Sequence, residues 1–247
     1  MLSANLPEPS RGPRLLALDS ATETLSVAVV DGAQQWVADE AGGALASQRI
    51  LPLAFALLER AGLGLRELDA IAFGRGPGAF TGLRTACSVA QGLAFGAGLP
   101  VLAVDSLALV AEDAFAQQGA NDIWVAMDAR MNEIYAAAYL RDGERWLVQR
   151  APALWSLEAL AETWRDEPPV MVAGSALDAF GARLATGSAT RVTAMQSRAA
   201  ALARLARIAW LGGEAVDAAL ALPLYLRDKV AHTTAERAAL AAAKQAA

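Results

Sequence analysis

Hydrophobic and polar positions change their period several times along the chain, and each change indicates a new structural element. The first half begins with three short apolar or alternating runs, which predict an antiparallel meander, and then alternates helix with strand. Pro52 either opens the first helix or kinks it. The predicted elements are three strands, a helix, a strand, a helix and a strand, at residues 15–19, 25–30, 35–40, 47–61, 70–73, 80–96 and 101–104.

The second half repeats this order. Ser106 is placed to cap a helix, and three strands followed by alternating helices and strands come after it. The predicted elements are a helix, three strands, a helix, a strand and two helices, at residues 106–117, 123–127, 133–140, 145–150, 157–164, 170–173, 176–184 and 197–211. The repeat predicts an α/β fold that is built from two duplicated mixed-sheet subdomains.

The two predicted subdomains span residues 14–105 and 106–231. Residues 1–13 are polar and rich in proline and serine, so we expect a disordered leader without a secretory signal. Residues 232–247 are rich in alanine and carry mixed charges, and we expect a frayed helical tail there.

Composition adds limits to this picture. Of the 247 residues, 55% are hydrophobic and 19% are charged, which is typical of a globular protein. A single cysteine, Cys87, excludes an intrachain disulfide and fits a reducing compartment, so we expect a cytoplasmic protein. The uncharged stretch 85–104 is as long as a membrane span, but its glycines and proline predict a helix, a turn and a strand instead.

Few side chains are suited to catalysis. His232 is the one histidine, and no Gly-x-Ser-x-Gly motif presents a nucleophile, so we predict no catalytic residue. One cysteine and one histidine cannot supply a zinc-type site. Asp19 and Asp128 each end an apolar strand. They either hold Mg²⁺ beside a bound phosphate or simply cap their turns.

A glycine-rich loop at residues 74–79 follows a strand and precedes a helix. It satisfies the relaxed dinucleotide fingerprint, with Asp105 as a possible ribose ligand. However, the loop does not follow the first strand, and Pro77 lacks an N–H that a phosphate cradle would use. Gly76 and Gly78 therefore either permit a tight turn or contact a nucleotide phosphate.

The helix predicted at residues 80–96 carries one charge, Arg84, and small residues recur along it at every fourth position. A helix that is apolar on every side must be buried on every side, either by the helix at residues 47–61 or by a second protein. We predict that these two helices form a partner interface, whose residues are Ile50, Leu51, Ala54, Leu58, Leu83, Cys87, Ala90, Gly92 and Ala94.

Five sequence blocks resemble the TsaB family, a subunit of the bacterial tRNA threonylcarbamoyladenosine system. The most specific block is Gly-Arg-Gly-Pro-Gly-Ala-Phe-Thr-Gly-Leu-Arg at residues 74–84, and Asp-Ala-Arg-Met-Asn-Glu-Ile-Tyr at residues 128–135 adds to it. The other three blocks lie at residues 18–22, 47–52 and 223–227.

The resemblance implies a duplicated actin-like fold of the sugar kinase and heat-shock ATPase class. It also implies a role beside the catalytic subunit TsaD and the ATPase TsaE, which together install threonylcarbamoyl on the adenosine next to the anticodon of tRNAs that read codons beginning with A. The catalytic relative binds metal through a His-x-x-x-His pair on its first helix, whereas the comparable residues 46–50 contain no histidine. This chain is therefore expected to be non-catalytic, to meet tRNA through the complex, and to form a homodimer when alone.

Two alternatives remain open. The first is an actin-like enzyme, a weak ATPase or phosphotransferase, that binds nucleotide and Mg²⁺ by itself. In the leading hypothesis it has no cofactor, apart from ATP or ADP with Mg²⁺ at a subunit interface. The second alternative is direct tRNA contact through Arg75, Arg84 and Arg130, although the net charge of −5 argues against a broad basic face.

Overall fold

The computed structural model describes residues 11–227 of the 247-residue chain. Of the predicted leader, residues 1–10 lie outside the described residues, as do His232 and the predicted tail at residues 232–247. The strands are β1 (Arg14–Asp19), β2 (Thr24–Asp31), β3 (Gln34–Ala41), β4 (Ala70–Gly76), β5 (Val101–Asp105), β6 (Asp122–Asp128), β7 (Glu133–Asp142), β8 (Arg145–Ser156), β9 (Met171–Ala173) and β10 (Thr190–Val192). The α-helices are α1 (Ala46–Ala61), α2 (Phe80–Ala97), α3 (Ser106–Gln118), α4 (Leu157–Asp166), α5 (Ala176–Phe180) and α6 (Arg198–Leu211).

The strands form two five-stranded sheets with the same topology. The first sheet has the order β3-β2-β1-β4-β5, and the second has the order β8-β7-β6-β9-β10. In each sheet the first three strands are antiparallel, and the remaining two run parallel to the first strand of the meander. The predicted duplicated α/β fold with two mixed-sheet subdomains is thereby confirmed.

Helices cover both faces of both sheets. Helices α1 and α2 pack on the outer face of the first sheet, and α4 and α5 pack on the outer face of the second. Helices α3 and α6 lie between the sheets, where one continuous apolar core joins the two halves. Because the central strands are covered on both faces, their sequences are continuous apolar runs rather than alternating ones, as in Leu15–Leu18, which is fully buried.

Helix α6 requires one correction to the predicted subdomains. The strands of the first sheet all come before residue 106 in the sequence, and those of the second sheet all come after it, as predicted. Helix α6, however, follows the second sheet in sequence and packs on β1, β2 and β3 of the first sheet. Beyond α6, Val216 pairs with Val101 at the edge of β5. The first subdomain is therefore completed by residues assigned to the second, because the apolar inner face of its sheet needs a helical cover.

Local sequence signals account for most element ends, and the structure differs from the predictions at four places. Asp105, not Ser106, caps α3, since its carboxylate accepts the N–H of Leu107 at 2.9 Å. Strand β8 continues to Ser156, six residues beyond its predicted end at residue 150, and β10 was not predicted because it is short and polar. Helix α1 continues through Pro52, which therefore does not open it. Within residues 11–227, no helix has the length and apolarity that crossing a bilayer requires.

Candidate functional site

A cleft lies between the two halves of the fold. It encloses a cavity of about 490 Å³, within the range of small-molecule sites. One wall is formed by the β1–β2 turn and the glycine-rich loop before α2, and the other by the end of β6 and the β6–β7 turn. Residues 224–227 cover it from the C-terminal side. The predicted residues Asp19, Gly76, Gly78 and Asp128 all lie in or next to these elements.

Asp19 is fully buried beside the cleft and is paired with Arg198. The Arg198 Nε donates to Asp19 Oδ1 at 3.1 Å, and its Nη2 lies 3.4 Å from Asp19 Oδ2. The Asp19 side chain is 0% exposed and the Arg198 side chain is 4% exposed. The carboxylate also accepts the N–H of Ala21 at 2.9 Å and the hydroxyl of Ser106 at 3.1 Å. Each of the two Asp19 carboxylate oxygens thus accepts hydrogen bonds from two donors of the chain itself.

Gly74 is required by the position of this carboxylate. A Cβ atom on Gly74 would lie 1.7 Å from Asp19 Oδ2 and 3.0 Å from Ser106 Oγ. A side chain at this position would displace the Asp19 carboxylate from its partners. The glycine therefore serves the close approach of two backbone segments around Asp19.

The other loop glycines have the same steric role. Gly76 has φ +112°, and a Cβ there would lie 2.8 Å from the Leu224 carbonyl; a Cβ on Gly78 would lie 2.5 Å from the Ala21 carbonyl. Two donors of the loop are also engaged within the chain: the Gly76 N–H donates to Ser106 Oγ at 3.0 Å, and the Ala79 N–H donates to the Ala21 carbonyl at 2.7 Å. The loop geometry supports the tight-turn interpretation.

Asp128 begins a strained turn at the mouth of the cleft. Its carboxylate accepts the N–H of Arg130 at 2.8 Å, and Arg130, Met131 and Asn132 all have φ near +60°. Non-glycine residues avoid this region, so three in succession must be held by their surroundings. Arg227 supplies one support, since it donates to the Arg130 carbonyl at 3.4 Å and forms an ion pair with Glu133. Asp128 therefore acts as the cap of a turn.

The cleft residues do not fit a nucleotide with Mg²⁺ at Asp19. Such a complex would need a free carboxylate, but the Arg198 guanidinium already neutralises Asp19. Of the loop N–H groups, those of Gly76 and Ala79 are engaged within the chain, and Pro77 has none. Among the residues that the structure describes, no cluster of three His, Cys, Asp or Glu side chains is arranged to hold a metal ion.

Asp105, which is partly buried, and Tyr139, which is buried, form a second polar pair between the sheets. The Tyr139 hydroxyl donates to Asp105 Oδ2 at 2.7 Å. Burial raises the pKa of Asp105 above its usual value, while the hydrogen bonds from Tyr139 and from the Leu107 N–H act in the opposite direction. Burial also raises the pKa of Tyr139, and the Asp105 carboxylate adds to this rise. Asp105 thus serves the packing of the halves, and its predicted role as a ribose ligand has no support in this geometry.

The predicted partner interface on α1 and α2 needs revision, because most of its residues are inside the protein. Seven of the nine are buried in this chain's own core, namely Ile50, Ala54, Leu58, Leu83, Cys87, Ala90 and Ala94. Leu51, which is 38% exposed, and Gly92 face solvent. The prediction failed for the seven because they pack on the first sheet and on the neighbouring helix.

The exposed side of these two helices nonetheless includes large apolar residues. Helix α2 is buried where it faces the first sheet, but several of its residues stay exposed, so the chain's own helix α1 does not cover it on every side. Phe55 of α1 and Phe95 of α2 are 49% and 59% exposed, and Ser88 and Gly92 lie in the open beside them. We call the exposed residues Leu51, Phe55, Ser88, Gly92 and Phe95 the α1–α2 face.

Comparison with known proteins shows which family this chain belongs to. A model of the family described as TsaD, tRNA N6-adenosine threonylcarbamoyltransferase, matches residues 40–235. The chain belongs to this family. Within the family, the chain is 45% identical over 131 residues to the tRNA threonylcarbamoyladenosine biosynthesis protein TsaB of Haemophilus influenzae and 43% identical over 129 residues to that of Escherichia coli. The two alignments cover 53% and 52% of this chain and 56% of each relative, so the chain spans about half the length of the curated relatives it matches.

A solved structure of the family agrees over a larger region. YeaZ from Pseudomonas aeruginosa is 40% identical, with a TM-score of 0.80, and the match covers 87% of this chain and 100% of that chain. The resemblance to TsaB that the sequence blocks predicted is therefore confirmed.

Several cleft residues of this TsaB relative were not predicted from its sequence. Arg198 is an ordinary arginine at the start of an amphipathic helix, and nothing near it in sequence indicates that it meets Asp19, 179 residues away. Ser106 was assigned to a helix cap. Tyr225 and Arg227 had one signal, the Pro-Leu-Tyr-Leu-Arg block at residues 223–227, but their positions over the cleft follow from the fold alone.

Proposed function

We propose that this chain is a non-catalytic subunit of the TsaB type, which pairs with TsaD and acts with TsaE. In this role it supports threonylcarbamoylation of the adenosine next to the anticodon in tRNAs that read codons beginning with A. The names of the relatives in Haemophilus influenzae and Escherichia coli support the pathway, since both are called tRNA threonylcarbamoyladenosine biosynthesis proteins.

The ion pair between Asp19 and Arg198 is the observation that carries the non-catalytic part of the proposal. A phosphotransferase of this fold would need a carboxylate that is free to hold Mg²⁺ in its cleft. Here Asp19 has no exposed surface and its two oxygens are occupied by Arg198, Ser106 and a backbone N–H. The alternative of a nucleotide-dependent enzyme acting alone therefore has less support. ATP or ADP with Mg²⁺ at a subunit interface remains compatible with the proposal.

The α1–α2 face supports the partner role. Its aromatic side chains, Phe55 and Phe95, are 49% and 59% exposed, and exposed apolar residues that lie together on one surface are typical of a site covered by another protein. Gly92 has no other atom within 4 Å of the place where a Cβ would be, so a partner helix can approach the α2 backbone closely. We infer that TsaD docks here, and that a second copy of this chain occupies the same face when TsaD is absent.

Direct contact with tRNA has weaker support than contact through the complex. The net charge of −5 argues against a broad basic face, and the charge of Arg130 is partly offset by the Asp128 carboxylate, which lies 3.4 Å away. We therefore propose that tRNA meets this chain within the assembled complex, in the cytoplasm, where tRNA modification takes place.

Native mass spectrometry of the chain, alone and mixed with TsaD from the same organism, tests the proposal. We expect a homodimer that converts to a heterodimer when TsaD is added. Gly92→Glu should prevent both assemblies while leaving the circular dichroism spectrum unchanged, because the new charge would be buried in the interface. Ala90 is unsuitable for this test, since it is fully buried and a charge there would unfold the chain.

A matched control places the same charge on the opposite side of the molecule. Ala159→Glu lies on an exposed position of α4, which covers the second sheet, and should assemble like the wild type. A folded Gly92→Glu chain that still binds TsaD would remove the α1–α2 face as the docking surface. If the wild-type chain forms no complex with TsaD, the proposed function as a whole is wrong.

A further inference from the structure

Arg84 lies next to the α1–α2 face, in line with Ser88 and Gly92 on helix α2. It is the one charged residue of α2, and it is exposed. It lies one turn before Ser88 and two turns before Gly92, so it continues the exposed row of small residues towards the N-terminus of the helix. A partner helix lying along this row would meet Arg84 at its end.

The guanidinium of Arg84 is fixed in place before any partner binds. It lies 3.8 Å from the ring centre of Phe80, and its Nε donates to the Tyr225 hydroxyl at 3.1 Å. The rings of Phe80 and Tyr225 are 5.0 Å apart, so the guanidinium is held by two aromatic side chains. Tyr225 is itself positioned by the neighbouring Leu224, whose N–H donates to the Arg75 carbonyl at 2.7 Å. Such fixation lowers the entropy that is lost on binding.

Among residues 11–227, Arg84 has no counter-ion, unlike two other arginines of this half and the cleft. Arg49 on α1 pairs with Glu40, and Arg227 beside the cleft pairs with Glu133. Within residues 11–227, no carboxylate oxygen lies within 4.0 Å of the Arg84 guanidinium, and its two Nη atoms have no hydrogen-bond acceptor. The two Nη atoms form the fork that binds a carboxylate with two parallel hydrogen bonds.

We propose that Arg84 binds a carboxylate on the helix of TsaD that docks on the α1–α2 face, and that this contact selects the partner. The inference rests on the proposed function and adds the chemistry of the contact. An acidic side chain at the end of an otherwise apolar, closely packed helix matches both the charge of Arg84 and the small-residue row. Arginine is also among the residues that most often dominate the binding free energy of an interface.

Binding of TsaD to a set of purified variants, measured by isothermal titration calorimetry at low and high salt, tests the inference. Arg84→Gln removes the charge and should weaken binding about 30-fold or more, and Arg84→Glu should weaken it further by repulsion. Tyr225→Phe keeps the aromatic ring but removes the hydroxyl that holds Nε, and should weaken binding about 3- to 10-fold. Arg84→Lys should fall between the wild type and Arg84→Gln, because lysine keeps the charge but not the fork.

Salt dependence separates a carboxylate contact from simple packing. Wild-type binding should weaken as salt rises, and this dependence should be smaller for Arg84→Gln. The matched control is Arg165→Gln, which removes an exposed arginine of α4 in the second half and should bind like the wild type. If Arg84→Gln and Arg84→Glu bind as tightly as the wild type while Gly92→Glu does not bind, this inference is overturned and the docking proposal stands. If the wild type itself does not bind TsaD, both are overturned.

Discussion

Arg198 and Asp19 are 179 residues apart in the chain, yet the Arg198 Nε lies 3.1 Å from Asp19 Oδ1 in the protein interior. The pair joins the first residue of α6 to the last residue of β1. Burying two charges carries a desolvation cost, which is offset here by hydrogen bonds from Ser106, from the Ala21 N–H and to the Ser106 carbonyl. The negative charge that would allow Asp19 to bind a cation is instead paired with Arg198, and this pair holds α6 on the first sheet.

Removal of Arg198 should destabilise the protein strongly. Arg198→Met keeps the length and apolar part of the side chain but leaves the Asp19 carboxylate buried without a counter-ion, which costs about 3–5 kcal/mol of the free energy of unfolding. Urea unfolding measures this loss. Asp19→Asn combined with Arg198→Met should lose less than the sum of the two single losses, because no uncompensated charge remains. A loss below about 1 kcal/mol for Arg198→Met would show that the pair contributes no more than a surface ion pair does.

A pair of glycine substitutions tests whether sterics explain the glycine-rich loop. Gly74→Ala would place a Cβ 1.7 Å from Asp19 Oδ2, and the carboxylate cannot move without losing its donors. We expect a loss of about 3 kcal/mol in the free energy of unfolding. Gly92→Ala, in the middle of α2 with open space around it, should instead raise stability by about 0.5–1 kcal/mol, since alanine favours the helix. Equal effects of the two substitutions in urea unfolding would contradict the steric explanation.

The fold was largely predictable from the sequence because its signals are local. Continuous apolar runs indicated the central strands, and left-handed glycines such as Gly62 and Gly98 end α1 and α2 where the pattern stops. The packing of α6 on the first sheet was not predictable, since its amphipathic pattern shows that one side is buried but not which sheet buries it. For the same reason, the apolar positions of α2 could not be divided between core and surface.

The ionisation of Asp105, which lies between the two halves, should make the stability of the protein depend on pH. Burial raises its pKa above the ordinary value, so the folded protein binds this proton more tightly than the unfolded chain does. Stability from this group is therefore present at low pH and is lost as pH rises from the unfolded pKa, about 4, through the higher folded pKa. Asp105→Asn cannot ionise. Its thermal stability relative to the wild type should therefore improve as pH is raised from acidic to neutral. A difference that stays constant with pH would contradict this explanation.

The candidate site was predictable only in part, because its geometry depends on contacts that are distant in sequence. Asp19 and Asp128 stand out as polar ends of apolar strands; Asp128 lines the cleft, and Asp19 is buried beside it against Arg198 and Ser106, which do line it. The sequence could not show that one is neutralised by Arg198 and that the other caps a strained turn. A phosphate-binding loop and a steric turn contain the same glycines, and the difference is whether the backbone N–H groups are free.

Nucleotide binding to the isolated chain follows from that difference and can be tested directly. The Gly76 and Ala79 N–H groups are already donated to Ser106 Oγ and to the Ala21 carbonyl, and Pro77 has none. A phosphate bound by these N–H groups would have to break their existing hydrogen bonds. Because Asp19 is neutralised by Arg198, Mg²⁺ would also lack a protein ligand at that position. Calorimetric titration with ATP and Mg²⁺ should therefore give no binding heat at millimolar nucleotide, in a buffer where a sugar kinase used as control does bind. Saturable heat from the monomeric chain would instead favour the nucleotide-dependent enzyme over the non-catalytic subunit, because the loop would then have to rearrange to receive phosphate.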